Sequence, residues 1–174
     1  MQLYEKVAAK GSETTTRSYS TSFSLGIYCL DSKMHESIYG VYGFVRFADE
    51  IVDTFHEHNK RELLQAFRQD TYKAIEDGIS LNPILHSFQK VVNRYGIDHS
   101  FIETFLQSMA ADLDQQFHDQ GSLEQYILGS AEVVGLMCLR VFCNGDDEEF
   151  EQLKPAAMRL GAAFQKVNFL RDLH

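Results

Sequence analysis

Five polar side chains recur on one face of an otherwise apolar stretch. Counted as a helix, they are spaced at steps of three and four residues and form one row: Tyr39, Tyr42, Arg46, Asp49 and Asp53. Because almost all neighbouring positions are apolar, this helix is predicted to lie inside a bundle. Buried carboxylates need a counter-charge, and one arginine pairs with only one of them at a time. The row therefore predicts a divalent metal ion held by Asp49 and Asp53.

A second polar row lies near the end of the chain. Gly161, Gln165, Asn168 and Asp172 follow each other at steps of four, three and four, and Arg171 lies beside them. This helix is also apolar elsewhere, so the two rows predict one shared polar cavity. Carboxylate oxygens are the ligands that magnesium prefers, and the forked arginine guanidinium matches phosphate oxygens. The rows together indicate a site for magnesium and a phosphate-bearing ligand.

Composition limits the fold and the function classes. A chain of 174 residues that is 44% hydrophobic can bury one sizeable core, so we expect a single helical domain over residues 1–174. The net charge of −9 argues against a nucleic-acid partner. The three cysteines lack zinc-ligand spacing, which is typical of a reduced, cytoplasmic protein. We expect no signal peptide and no run long enough to span a bilayer, since Arg140 interrupts the stretch 133–142.

The elements that would hold the two rows are helices. With only two prolines and little strand-like alternation, the sequence predicts an all-α fold. The predicted helices span residues 2–10, 19–29, 33–57, 60–78, 82–95, 98–117, 122–143 and 148–173. Breaks are expected at sites that include Gly11-Ser12 and Asn144-Gly145, and Ser32 and Ser122 are the expected N-caps.

These residues give the chain a resemblance to the squalene/phytoene synthase family, the head-to-head trans-prenyltransferases, and most to bacterial phytoene synthases. The segment from Tyr42 to Asp53 matches the family's first aspartate-rich motif, and Gln165 to Asp172 matches the start of the second. Three further segments match in order: Tyr19 to Phe23, Met109 to Leu113, and Tyr126 with Val133 to Met137. The resemblance covers essentially all 174 residues.

The resemblance implies an isoprenoid-synthase-type helical bundle. In the family, the second motif continues to another acidic residue one helical turn further, whereas this sequence stops at His174. The expectation is therefore an N-terminal portion of such an enzyme, with the C-terminal helices missing.

The resemblance also implies a role for each matching residue. Asp49, Asp53 and Asp172 would hold Mg²⁺, and the substrate-binding residues would be Ser20, Ser22, Gln165 and Asn168. Tyr42, Arg46, Tyr126 and Arg171 would be catalytic. Five apolar residues would shape a dry tunnel for the prenyl chains: Phe23, Phe44, Phe47, Leu136 and Met137.

Each residue also has a plainer interpretation. Two aspartates four residues apart are often a solvated helix face, and Ser20 and Ser22 are plausible helix caps. Gln165 and Asn168 would serve equally to bridge helices, and Gly135 to permit a close helix contact. The pair His56 and His58 resembles a metal pair by spacing, but its polar surroundings indicate a surface position.

The substrates implied are prenyl diphosphates. Geranylgeranyl diphosphate would give phytoene, and farnesyl diphosphate would give squalene or dehydrosqualene. NADPH would be needed only by a squalene synthase, and no dinucleotide-binding fingerprint is present. A non-catalytic helical assembly factor of the same fold is the rival class, and terpene cyclases are a weaker alternative. We expect a cytoplasmic protein with peripheral membrane contact at most, and the sequence predicts no oligomeric state.

Overall fold

The computed structural model describes residues 2–114 and 120–172, and within these ranges it contains helices and no strand, as the sequence predicts. The α-helices are α1 Gln2–Tyr19, α2 Thr21–Tyr28, α3 Ser32–Asp53, α4 Lys60–Asp77, α5 Pro83–Tyr95, α6 His99–Leu113, α7 Gln120–Ile127, α8 Val133–Phe142 and α9 Asp147–Asp172. The chain divides into two compact units, Met1–Gly96 and Ile97–His174. The expectation of a single domain stays a prediction.

The helix of the first polar row, α3, lies at the centre of the first unit. It contacts α1, α2, α4 and α5, as its apolar surroundings predict. The Phe44 ring stacks on Phe88 at a centroid distance of 3.9 Å and on Phe67 at 5.5 Å. At Gly40 a Cβ atom would lie 3.0 Å from Val91 Cγ2, so the absence of a side chain lets α3 and α5 approach closely.

Helix α1 continues through the break that Gly11-Ser12 predicts. Ser12 and Thr16 are buried, and the Thr16 hydroxyl donates a hydrogen bond of 2.9 Å to the Ser12 carbonyl oxygen. A Cβ at Gly11 would lie 3.7 Å from Pro83 Cβ, so this face of α1 packs on the start of α5. The small residues are contact positions, and packing against α3 and α5 outweighs their low helix propensity.

Helix α3 is four residues shorter at its end than predicted. It stops at Asp53, and a turn follows. The next helix, α4, starts where the Asn59 side chain accepts the Glu62 N–H. At its start, the N-cap is Asp31 and not Ser32, since the Asp31 carboxylate accepts the Lys33 N–H at 2.9 Å. The other expected N-cap, Ser122, lies inside α7, which already includes Gln120, so this prediction is wrong.

The second unit contains α6 to α9. The helix predicted over residues 122–143 is interrupted by one π-helical turn, Leu128–Glu132, which we call the π turn. A buried cluster of Leu136, Leu139, Cys143 and Phe150 joins α8 to α9. The predicted stop at Asn144-Gly145 is confirmed, because both residues have positive φ, 49° and 80°. Helix α6 ends four residues before the predicted position, and residues 115–117 lie outside the described chain.

One stretch corrects the expectation about membrane spans. Among the described residues, Glu124–Phe142 is long and apolar enough to be a candidate span by length and composition. A core helix passes the same test, and 44% of this stretch is buried in the protein. Arg140, which we expected to interrupt it, is itself buried and donates a hydrogen bond of 2.7 Å to the Asp147 carboxylate.

Candidate active site

The predicted row on α3 runs from the protein core to solvent. Tyr39 is buried at 6% exposure, Tyr42, Arg46 and Asp49 are half-buried, and Asp53 is exposed as the last residue of α3. The two aspartates therefore lie toward one solvent-exposed end of a helix whose middle is buried. A charged ligand can reach them there without crossing the core.

Arg46 is held by two residues that the sequence interpretation did not single out. Its Nη2 donates to Glu50 Oε2 at 2.6 Å, and its Cζ lies 4.3 Å from the centre of the Tyr19 ring. The guanidinium is thus fixed by an ion pair within α3 and by a cation–π contact with the end of α1. The spacing of four residues between Arg46 and Glu50 was a usable signal, whereas nothing in the sequence indicated Tyr19 as a partner of Arg46.

Ser20 has the capping role that the plainer interpretation gave it. Its hydroxyl oxygen accepts the Phe23 N–H at 3.1 Å, and this bond starts α2. Its side chain also hydrogen-bonds with Tyr42, whose ring stacks on Phe23 at a centroid distance of 4.8 Å. Ser20 therefore connects the turn between α1 and α2 to the polar row. Ser22 is exposed on α2.

Burial and charge change the ionisation of this cluster. Burial raises the pKa of Tyr42 against the opposing effect of the Arg46 charge, so the phenol stays protonated at neutral pH. The hydrogen bond from Thr54 is the largest cause that holds the pKa of Glu50 below its usual value, with the bonds from Arg46 and Tyr19 adding to it. Glu50 is therefore an anion that three side chains stabilise.

The predicted residues of the second unit lie along α7 and α9. The rings of Tyr126 and Phe169 are 6.0 Å apart, and Tyr126 is half-buried. Gln165 and Asn168 are half-buried neighbours on α9, with 3.5 Å between Asn168 Nδ2 and Gln165 Oε1. The side chains of Arg171 and Asp172 lie outside the described residues.

The π turn lies between the two helices that carry these groups. A Cβ atom at Gly161 of α9 would be 2.9 Å from the Ala131 carbonyl oxygen, and one at Gly129 would be 2.5 Å from Ser108 Cβ of α6. Both glycines are therefore close-contact positions. Gly135, which we expected to have this role, leaves 3.5 Å to the nearest heavy atom, an ordinary contact. Burial also raises the pKa of Glu132, the last residue of the π turn.

The expected tunnel residues divide between core and surface. Phe44, Leu136 and Met137 are almost fully buried in the cores of their units, while Phe23 and Phe47 are 40% and 36% exposed. Only the two exposed rings are therefore accessible for contact with a prenyl chain. His56 and His58 are exposed, as the plainer interpretation had it.

Asp49 and Asp53 fit a magnesium ion by their chemistry. Magnesium is commonly held by one or two carboxylates together with waters and substrate phosphates. Among the residues that the structure describes, no group of three or more His, Cys, Asp and Glu side chains could hold a metal ion. A pair of carboxylates that completes its shell with water and phosphate oxygens suits magnesium better than zinc, which takes three or four nitrogen or sulfur ligands.

Comparison with known proteins gives consistent matches. The sequence profile described as squalene/phytoene synthase matches residues 16–174. The chain is 28% identical over 156 residues to a presqualene diphosphate synthase of Rhodopseudomonas palustris, covering 88% of this chain and 54% of that protein. It is 26% identical over 164 residues to the 15-cis-phytoene synthase of Pantoea ananas, covering 88% and 52%.

A solved structure matches as well. The crystal structure of a dehydrosqualene synthase in complex with ligand superposes with a TM-score of 0.83 at 26% identity, over 98% of this chain and 58% of that one. The chain spans about half the length of the curated relatives that it matches.

Proposed function

Because the chain belongs to the squalene/phytoene synthase family, we propose that the protein joins two prenyl diphosphates head to head in a magnesium-dependent reaction of isoprenoid biosynthesis. The observation that carries this proposal is the row on α3. Tyr42, Arg46 and Asp49 are half-buried and lead to Asp53 at the exposed helix end, as a site that meets a charged headgroup requires.

In this proposal, Asp49, Asp53 and Asp172 hold the magnesium ions. When bound, magnesium supplies positive charge that stabilises the departing pyrophosphate. Arg46 and Arg171 neutralise further phosphate oxygens, and hydrogen bonds to the diphosphate come from Ser20, Ser22, Gln165 and Asn168.

The carbon chemistry divides into two ionisations. Loss of pyrophosphate from the first substrate leaves an allylic cation, which the double bond of the second substrate attacks. Loss of a proton then closes a cyclopropane that still carries the second diphosphate. Loss of that diphosphate starts a rearrangement to a linear cation, which loses a second proton to give phytoene or dehydrosqualene or accepts hydride from NADPH to give squalene. Tyr42 and Tyr126 stabilise the cationic carbon through their rings or assist the proton transfer. The raised pKa of Tyr42 supports a neutral phenol in this role.

Geranylgeranyl diphosphate is the substrate that we propose, with phytoene as the product. The similarity to the Pantoea phytoene synthase supports this choice. The similarity to a presqualene diphosphate synthase supports the alternative, a squalene or dehydrosqualene synthase acting on farnesyl diphosphate. NADPH enters only if the product is squalene. We propose that the enzyme is cytoplasmic. Because both products are lipids, we also propose peripheral contact with a membrane.

The test is product formation by the full-length protein. Radiolabelled geranylgeranyl and farnesyl diphosphates are incubated with magnesium or with EDTA. We expect a hydrocarbon or a cyclopropyl diphosphate only with magnesium, and a rate at least about a hundredfold lower for Asp49→Ala, since metal ions supply several kcal/mol of charge stabilisation.

Asp70→Ala is the matched control, because Asp70 is an exposed aspartate of α4. It should keep the wild-type rate. If neither substrate gives product and neither binds in the presence of magnesium, the proposal is wrong. The protein is then a helical assembly factor that kept the fold and lost the chemistry.

A further inference from the structure

We propose that Glu50 is a positioning residue that fixes the Arg46 guanidinium for the diphosphate, and that it does not bind the metal. This inference deepens the proposed function and rests on it. Glu50 lies between Asp49 and Asp53 in the sequence, so by residue type alone it is a third acidic candidate for the metal site.

The hydrogen bonds of Glu50 separate it from the two aspartates. Its carboxylate accepts a bond of 2.6 Å from Arg46 Nη2, and hydrogen bonding by the side chains of Thr54 and Tyr19 contributes to its lowered pKa. An ionised carboxylate has about four acceptor positions. The short ion pair with Arg46 therefore occupies part of the capacity that a metal ion would need.

Helix geometry gives Glu50 and the aspartates different directions. Successive residues of an α-helix are about 100° apart around the axis. Arg46 lies in the same row as Asp49 and Asp53, whereas Glu50, four residues after Arg46, lies at the side of that row. Glu50 is turned about 100° from Asp49 around the axis, and its ion pair is with Arg46.

Arg46 is held on more than one side. Tyr19 places its ring 4.3 Å from the Arg46 Cζ and also donates to Glu50, so one tyrosine contacts both members of the ion pair. The side chains of Arg46 and Glu50 are only 25% and 18% exposed. Within the described chain, the Arg46 Nε is buried without a hydrogen-bond partner. A guanidinium that an ion pair and a ring contact hold in this way is preorganised for an anion.

A double-mutant cycle in the full-length protein tests the inference. We expect Glu50→Gln to raise the KM for the prenyl diphosphate roughly tenfold, since a bond between charged groups contributes about that factor. In an Arg46→Ala background, Glu50→Gln should change KM by less than about twofold, because Glu50 then has no guanidinium to position. An equal factor in both backgrounds, or no change in either, overturns the inference.

Two further variants support the double-mutant cycle, one as a control and one as a substitute for Glu50→Gln. Glu76→Gln, an exposed glutamate of α4, makes the same chemical change away from the cluster and should leave KM unaltered. If Glu50→Gln does not fold, Tyr19→Phe removes one hydrogen bond to Glu50 and keeps the ring on Arg46. We expect it to raise KM by about two- to threefold, again only when Arg46 is present.

A second readout is independent of catalysis. Because Arg46 Nη2 donates to Glu50, its Nη–H resonance in an NMR spectrum should exchange slowly with solvent in the wild-type protein and rapidly in Glu50→Gln, with no change in Glu76→Gln. Slow exchange in a protein that forms no product would reject the proposed function while supporting the ion pair. Equal exchange in wild type and Glu50→Gln would reject the positioning role even in an active enzyme.

Discussion

The Ser20 hydroxyl serves both the fold and the candidate site. It caps α2 through the Phe23 N–H and hydrogen-bonds with Tyr42 of the polar row. Capping and ligand binding were alternatives in the sequence, because a serine before a helix is compatible with both. The capping bond uses one lone pair of the hydroxyl oxygen, so the single hydroxyl proton serves either Tyr42 or a ligand.

Ser20→Ala should therefore lower the free energy of unfolding by about 1 kcal/mol, the usual contribution of an N-cap. Ser22→Ala is the matched comparison, because Ser22 is exposed one residue inside α2 and should change it by less than about 0.5 kcal/mol. Urea unfolding followed by circular dichroism measures both. Equal losses of stability would mean that the cap contributes nothing beyond an ordinary surface serine.

The residues of the first site were only partly predictable from the sequence. Spacing correctly placed Tyr42, Arg46 and Asp49 in a helix whose middle is buried. It did not indicate which carboxylate forms the ion pair with Arg46, since Asp49 at three residues and Glu50 at four are both within reach. The side-chain conformation decides this choice, and Tyr19 contributes to it through a contact between residues 27 positions apart, which a local pattern cannot reveal.

At the scale of elements, the spacing of apolar residues predicted the presence of helices better than it predicted their ends. Helix α9 starts within one residue of the predicted position, where the Asp146 carboxylate accepts the Glu149 N–H, and it continues to the last described residue. Gly11-Ser12 looked like a break and is instead a packing surface of α1. The π turn was not predicted, since one extra residue in a helical turn leaves no distinct signal in composition.

Two glycines fix the position of the π turn between its neighbours, and their substitution tests this packing. Gly129→Ala and Gly161→Ala should each lower the free energy of unfolding by about 1–3 kcal/mol, the usual effect of overpacking. A Cβ at Gly129 would lie 2.9 Å from the Thr104 carbonyl oxygen, and one at Gly161 would lie 3.1 Å from Glu132 Cα. Backbone atoms of this kind cannot move aside without shifting a helix.

Gly135→Ala is the control for both substitutions. Only the Ala157 carbonyl oxygen lies near its added Cβ, at 3.5 Å, so space is available. Alanine also has a higher helix propensity than glycine, by about 1 kcal/mol. Thermal unfolding should therefore show a Tm for Gly135→Ala that equals or exceeds the wild-type value. A fall in Tm as large as that of the other two variants would contradict the assignment of the close contacts.

At the scale of the whole molecule, buried polar groups decide how stability responds to solution conditions. The first unit contains His86 at 2% exposure, in ring contact with Tyr4 at a centroid distance of 4.9 Å. Its Nδ1 accepts the Ser80 N–H at 3.4 Å, and its Nε2 is buried without a partner among the described residues. The position of this ring beneath α1 follows from the tertiary fold, so the sequence alone did not single it out.

Burial lowers the pKa of His86, and the nearby Lys90 charge lowers it further, so the folded protein favours the neutral ring. The unfolded chain binds this proton near pH 6.5. Stability from the neutral ring is therefore fully present above that pH and is lost as the pH falls below it, by at most about 1.4 kcal/mol per pH unit. Urea unfolding at pH 7.5, 6.5 and 5.5 should show this slope in the wild-type protein.

His86→Gln removes the titrating group and keeps an acceptor for Ser80, so its unfolding free energy should fall less between pH 6.5 and 5.5. His58→Gln, a change at an exposed histidine, should keep the wild-type slope. Comparing slopes separates proton binding from any packing lost against Tyr4, because lost packing lowers stability equally at every pH. If wild type and His86→Gln have the same slope, the neutral ring of His86 does not set the acid response of this fold.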